Sequence, residues 1–143
     1  MSNDVTIYEV GPRDGLQNEN TLIATKDKIQ LVNDLTACGF QKIEVTSFVS
    51  PKWVPQMADA LEVLEGIDRA KGVTYSALTP NLKGFDRAQH ARADEVAIFA
   101  AATEGFSKAN INCSIDESLA RFKPVVKAVS YTHLRAHETR HDL

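Results

Sequence analysis

Short runs dense in β-branched and aromatic residues alternate along the chain with longer stretches whose apolar residues recur at helical spacing. The first β-rich run is Val5 to Val10, and a polar loop follows from Gly11 to Ala24. From Thr25 to Leu35, the residues Ile29, Val32 and Leu35 share one helical face; Thr25 suits the N-cap and Gly39 the C-terminal stop. A second strand is expected at Lys42 to Thr46, then a loop holding Pro51 and Pro55, then a helix from about Gln56 to Ile67. The third strand is expected near Val73 to Leu78, a short helix at Leu82 to Ala91, and the fourth strand at Glu95 to Phe99. The run from Ala100 to Cys113 reads as a small-residue loop. Ser114-Ile115-Asp116-Glu117 then reads as a capping box opening a last helix, with Pro124 expected to kink it.

Strands alternating with helices imply right-handed crossovers and a parallel sheet. Two architectures fit four such units: an open doubly wound sheet, or half of an eight-fold (β/α) barrel, which needs about 250 residues when complete. The chain has 143. Residues 130–143 do not continue the pattern. They hold three of the four histidines, lack an apolar stripe, and resemble a translated sequencing-adapter string. We therefore expect a natural barrel segment at 1–129 and a foreign, unstructured tail at 130–143. His133, His137 and His141 have spacing that a helix would stack, so metal binding by the tail is a lesser alternative.

Composition narrows the classes. With 16 basic against 19 acidic side chains, the net charge is −3, so there is no basic excess to meet nucleic-acid phosphates. No apolar run is long enough to span a membrane, and the N-terminus lacks the pattern of a secretory signal. Two cysteines, Cys38 and Cys113, make no disulfide framework; both are expected to be packed thiols in a reduced, cytoplasmic setting.

In parallel βα folds, ligands sit beyond the carboxyl ends of the strands. After the first strand, Gly11-Pro12-Arg13-Asp14-Gly15 presents a cation beside a hard oxygen ligand, with Gln17 close behind. A plain surface ion pair would explain the same dipeptide. On the second strand, alternation turns Glu44 away from Ile43 and Val45; in a barrel that is the interior, where a carboxylate needs a partner and Arg13 is the natural one. Lys108, Asn110 and Asn112 precede the capped helix, where an anion is favoured, although a simple loop-to-helix junction is the commoner explanation.

The runs GPRDGLQNE and IEVTSFVSPKWVPQMAD, together with LTPNLKGF and ANINCS, closely resemble 3-hydroxy-3-methylglutaryl-CoA lyases over about residues 4–129. The Arg-Asp pair alone is shared with the wider superfamily of metal-dependent barrel lyases and Claisen-type synthases; SFVSPKWVPQ is more specific to the lyases. The resemblance implies a (β/α)8 TIM barrel and cleavage of a branched 3-hydroxyglutaryl thioester of coenzyme A to acetoacetate and acetyl-CoA, as in leucine catabolism. It implies Mg²⁺ or Mn²⁺ as cofactor, an acyl-CoA substrate and a homo-oligomeric parent. It carries over Arg13 as catalytic arginine, Glu44 as its active-site glutamate, Asp14 as metal ligand, and Gln17, Lys108 and Asn110 as substrate-binding residues. The family's His-x-His pair and its reactive cysteine loop, from the second half of the barrel, do not occur here. The chain alone is therefore expected to be inactive and to expose open edges at its first and fourth strands. A fragment of a 2-isopropylmalate or homocitrate synthase-like acyltransferase, or a non-catalytic half-barrel, is the alternative.

Overall fold

The computed structural model describes residues 5–132 and 135–139. Its strands are β1 (Tyr8–Glu9), β2 (Lys42–Ser47), β3 (Thr74–Leu78), β4 (Glu95–Phe99) and β5 (Arg135–Thr139). Its helices are α1 (Thr25–Ala37), α2 (Ala60–Gly66), α3 (Leu82–His90), α4 (Glu104–Ile111) and α5 (Ile115–Ser130). All strand pairs are parallel, in the order β1-β2-β3-β4-β5. That order settles the choice between the two architectures. A doubly wound sheet reverses direction at a switch point, whereas a barrel adds each strand beside the last. The chain forms part of a barrel wall.

Helices α1, α2, α3 and α5 cover one face of this wall. Val32, Leu64, Phe85, Phe122 and Val125 meet Ile43, Val45, Tyr75 and Val96 in a single apolar core. Each buried apolar side chain of this size stabilises the fold by about 1.5–3 kcal/mol. The other face of the wall is the barrel interior, and it carries polar side chains.

Several local expectations need correction. β1 is shorter than its β-rich sequence suggests: only Tyr8 and Glu9 pair with β2. Thr25 does not cap α1; Ala24 stands at that position, and the Thr25 hydroxyl donates instead to Asp59 at 2.8 Å. The same Asp59 accepts from the buried Lys28 at 2.6 Å, and these two bonds tie α1 to the start of α2. The helix expected from Gln56 begins as a separate short turn, Pro55–Met57, before α2. The stretch from Ala100 to Cys113 is not a simple loop but contains α4, because Thr103 accepts the Phe106 N–H at 3.3 Å and Glu104 favours the first turn. Cys38 is exposed just past α1, while Cys113 is buried.

The segment expected to be an unstructured tail is also corrected in part. α5 runs to Ser130, and the backbone of residues 135–139 pairs in register with β4. The edge of β4 offers unpaired backbone groups, which an extended segment can meet whatever its side chains. The open edge expected at the fourth strand is thereby covered. His133 and His141 lie outside the described residues.

At the other edge, Val5 and Ile7 are exposed beside β1. Such an edge pairs readily with other chains. In sedimentation the protein is expected to self-associate, and Ile7→Lys should shift it toward monomer. A single monomeric boundary at high concentration for the unaltered chain would count against this.

α5 opens with the expected capping box: Ser114 Oγ accepts from Glu117 N–H at 3.1 Å, and the Glu117 carboxylate accepts from Ser114 N–H at 2.7 Å. The bond from the Ser114 N–H holds the Glu117 carboxyl below its ordinary range, with the Ser114 side chain adding to the effect. A carboxyl depressed in the folded state stabilises above its unfolded pKa, and that gain is lost as pH falls through the folded value. Glu117→Gln should therefore lower the melting temperature at neutral pH but not below the carboxylate range. An equal loss at both would show that the charge is not involved.

Gly84, in the first turn of α3, sits against the loop that follows β2. Its N–H is capped by the Asn81 side chain at 2.9 Å. A Cβ there would lie 3.1 Å from the Phe48 carbonyl oxygen and 3.0 Å from Pro80 Cδ.

Candidate active site

The site grows from the carboxyl end of β1. Residues Gly11–Gly15 form one π-helical turn, in which the Leu16 N–H reaches back to the Gly11 carbonyl. Such turns are rare and are often found at functional positions. Pro12 at the start of the turn is buried and fixes the backbone, and the Glu9 carboxylate accepts the Gly11 N–H at 2.6 Å. The turn aims Arg13 inward and Asp14 outward.

Arg13 is 17% exposed at its side chain. Its Nε donates to Glu44 Oε1, and its Nη1 donates to Asp14 Oδ1 at 2.9 Å. Glu44 is 3% exposed and lies in β2, on the face opposite Ile43 and Val45. Two separate carboxylates therefore grip Nε and Nη1. Among the described residues no protein group engages Nη2.

The buried carboxylate has a second partner. Glu44 Oε2 accepts from the Tyr8 hydroxyl at 3.0 Å, and the Tyr8 and Ser76 oxygens lie 2.5 Å apart. Lys42 Nζ stands 4.9 Å from the centre of the Tyr8 ring and pairs with Glu95 Oε2 at 2.6 Å. Glu44, Ser76 and Glu95 are register partners across β2, β3 and β4. The interior face thus carries a polar row in which Arg13 pairs with Glu44 and Lys42 with Glu95. Burial raises the Tyr8 phenol well above its usual range, and the neighbouring Glu44 charge adds to this, so Tyr8 stays a neutral donor.

Of the residues singled out from sequence, the structure brings Arg13, Asp14 and Glu44 together. Gln17 lies half-buried just past the turn. Lys108 and Asn110 are exposed on α4, and no hydrogen bond or ion pair among the described residues joins them to Arg13, Asp14 or Glu44. Sequence reasoning missed Tyr8 and Ser76. The available signal was parity: polar side chains recur on the same strand face as Glu44.

Asp14 is 57% exposed at its side chain, a hard oxygen donor at the rim. Among the described residues no group of three or more His, Cys, Asp and Glu side chains could hold a metal ion. Asp14 fits as one ligand of a divalent ion that wants about six contacts.

A family profile described as HMGL-like matches residues 4–138. The chain belongs to this family. The 3-hydroxy-3-isohexenylglutaryl-CoA/hydroxymethylglutaryl-CoA lyase of Pseudomonas aeruginosa is 59% identical over 136 residues, which is 95% of this chain and 44% of that protein. A crystal structure of hydroxymethylglutaryl-CoA lyase from the same organism superposes with a TM-score of 0.88 at 57% identity, over 94% of this chain and 45% of that one. An HMG-CoA lyase from Acinetobacter baumannii, solved with coenzyme A and 3-methylmalate, gives 0.86 at 40% identity over 93% and 44%. The chain therefore spans less than half the length of these HMGL-like relatives. Among the described residues no helix is long and apolar enough to cross a membrane.

Proposed function

We propose that this chain supplies the arginine-bearing half of a hydroxymethylglutaryl-CoA lyase site, with residues 1–129 forming the first half of the barrel. The observation that carries the reading is the Arg13 guanidinium, fixed by the buried Glu44 at the carboxyl end of parallel strands. In retro-Claisen cleavage a base from the other half of the barrel takes the proton of the substrate's tertiary hydroxyl, the ketone of acetoacetate forms as the C–C bond breaks, and the enolate left behind takes up a proton to become acetyl-CoA. Arg13, whose Nη2 meets no protein group among the described residues, stabilises the thioester oxygen as charge gathers on it, an interaction stronger in the transition state than in the ground state. Glu44 keeps the planar guanidinium from rotating. Asp14 would contribute one carboxylate to a divalent ion, Mg²⁺ or Mn²⁺, which when bound supplies Lewis acidity toward the hydroxyl. Gln17 lines the substrate pocket, and Lys108 and Asn110 approach coenzyme A. The reaction is placed in the cytoplasm, in keeping with the two unbridged cysteines.

The test is a complete barrel made by joining residues 1–129 to the second half of the Pseudomonas aeruginosa relative. Release of acetyl-CoA and acetoacetate from 3-hydroxy-3-methylglutaryl-CoA is the expected result. A folded fusion that instead condenses acetyl-CoA with a 2-oxo acid would transfer the chain to the Claisen-type synthases.

A further inference from the structure

We infer that Tyr8 and Ser76 are positioning residues for Arg13, acting through Glu44 from the inner wall of the barrel. The Tyr8 hydroxyl has a single hydrogen and faces two oxygens, Glu44 Oε2 at 3.0 Å and Ser76 Oγ at 2.5 Å. An ionised carboxylate only accepts, so the phenol gives its hydrogen to Glu44. The Ser76 hydroxyl then donates to the phenol oxygen. It has an alternative acceptor in the Ile43 carbonyl at 3.3 Å, which is the longer contact.

The result is a directed chain, from Ser76 to Tyr8 to Glu44, which Arg13 Nε–H meets from the opposite side. Bonds in such chains polarise one another, and donors to a carboxylate are stronger than neutral ones. Each oxygen of Glu44 has its own donor, so the carboxylate cannot swing without breaking one of them. The members come from β1, β2, β3 and the turn after β1, and Ser76 is fully buried. Lys42, seated over the ring face of Tyr8, holds the phenol in the plane that reaches Glu44.

Tyr8→Phe deletes one hydroxyl and keeps the ring under Lys42. It should raise the exchange rate of the Arg13 Nε–H with water about tenfold, read by ¹⁵N NMR of the whole chain at mildly acidic pH. Ser76→Ala should raise it less, by about two- to threefold, since the phenol keeps its bond to Glu44. Glu44→Ala marks the fully released rate. A residue that only packs would leave this one resonance unmoved while lowering the melting temperature. An Arg13 Nε–H rate unchanged in both Tyr8→Phe and Ser76→Ala overturns the inference; if Tyr8→Phe does not fold, the Ser76→Ala rate alone decides it. The catalytic consequence rests on the reading of Arg13 given above, but the exchange measurement does not. Lack of turnover in the fused barrel with the exchange effect intact removes the lyase reading and leaves the positioning role standing.

Discussion

Arg13→Gln in the fused barrel is expected to lower kcat by about 10³-fold while KM for the acyl-CoA changes little. Removing one donor to a developing oxyanion is known to cost on this scale in preorganised sites. Glutamine matches neither the charge nor the two-pronged geometry, so the enolate oxygen loses its stabilising partner when the C–C bond opens. Arg13→Lys should recover little of this. An ammonium is a compact point charge, and it cannot span Glu44, Asp14 and a substrate oxygen from one rigid plane. Asp14 loses its Arg13 partner in this variant but keeps its exposed carboxylate at the rim, so Mn²⁺ titration of the Arg13→Gln protein should still show binding. A variant with weakened substrate binding and intact turnover would refute the role given to Arg13.

The second large effect is expected at Glu44, where two substitutions should separate charge from geometry. Glu44→Ala leaves the Arg13 guanidinium and the Tyr8 hydroxyl without their shared acceptor in a buried place. Breaking a buried pair from one side destabilises by about 3–5 kcal/mol. Urea titration of the chain should show this as a fall in midpoint. In the fused barrel kcat should drop by about 10²-fold, because Arg13 is then held only by the exposed Asp14 and can rotate. Glu44→Gln should be much milder. Its carbonyl oxygen can accept from Arg13 Nε while its amide donates to the Tyr8 oxygen, provided Tyr8 turns its hydrogen to Ser76. The chain of bonds then runs in reverse with every member satisfied. Equal destabilisation by Ala and Gln would mean that the negative charge, and not the bonding pattern, holds this corner.

How much of this was legible beforehand follows from the range of each interaction. β4 lies where its apolar run places it, because Glu95–Phe99 is paired on both sides and its pattern is enforced by burial. β1 does not, because among the described residues Val5–Ile7 find no strand partner and only Tyr8 and Glu9 pair with β2. The capping box of α5 was readable, since all its atoms come from four consecutive residues. The short helix α4 was hidden in a run rich in small residues, although Thr103 and Glu104 were its start signals.

The site divides in the same way. Strand alternation was enough to turn Glu44 inward and name Arg13 as its partner. Tyr8 and Ser76 are 68 positions apart, and only the register of three strands brings them together. The resemblance to HMG-CoA lyases gave the family and left these two residues without a role.

Gly84 bears on protein engineering. Exchanging a helix glycine for alanine is a routine way to stiffen an unfolded chain and raise thermal tolerance. Here the added methyl would press on the Phe48 carbonyl and so on the segment running from Phe48 through Trp53, at the mouth of the barrel. A stabilisation campaign would therefore do well to leave this glycine untouched, since the backbone at the carboxyl end of β2 would have to give way to the added methyl.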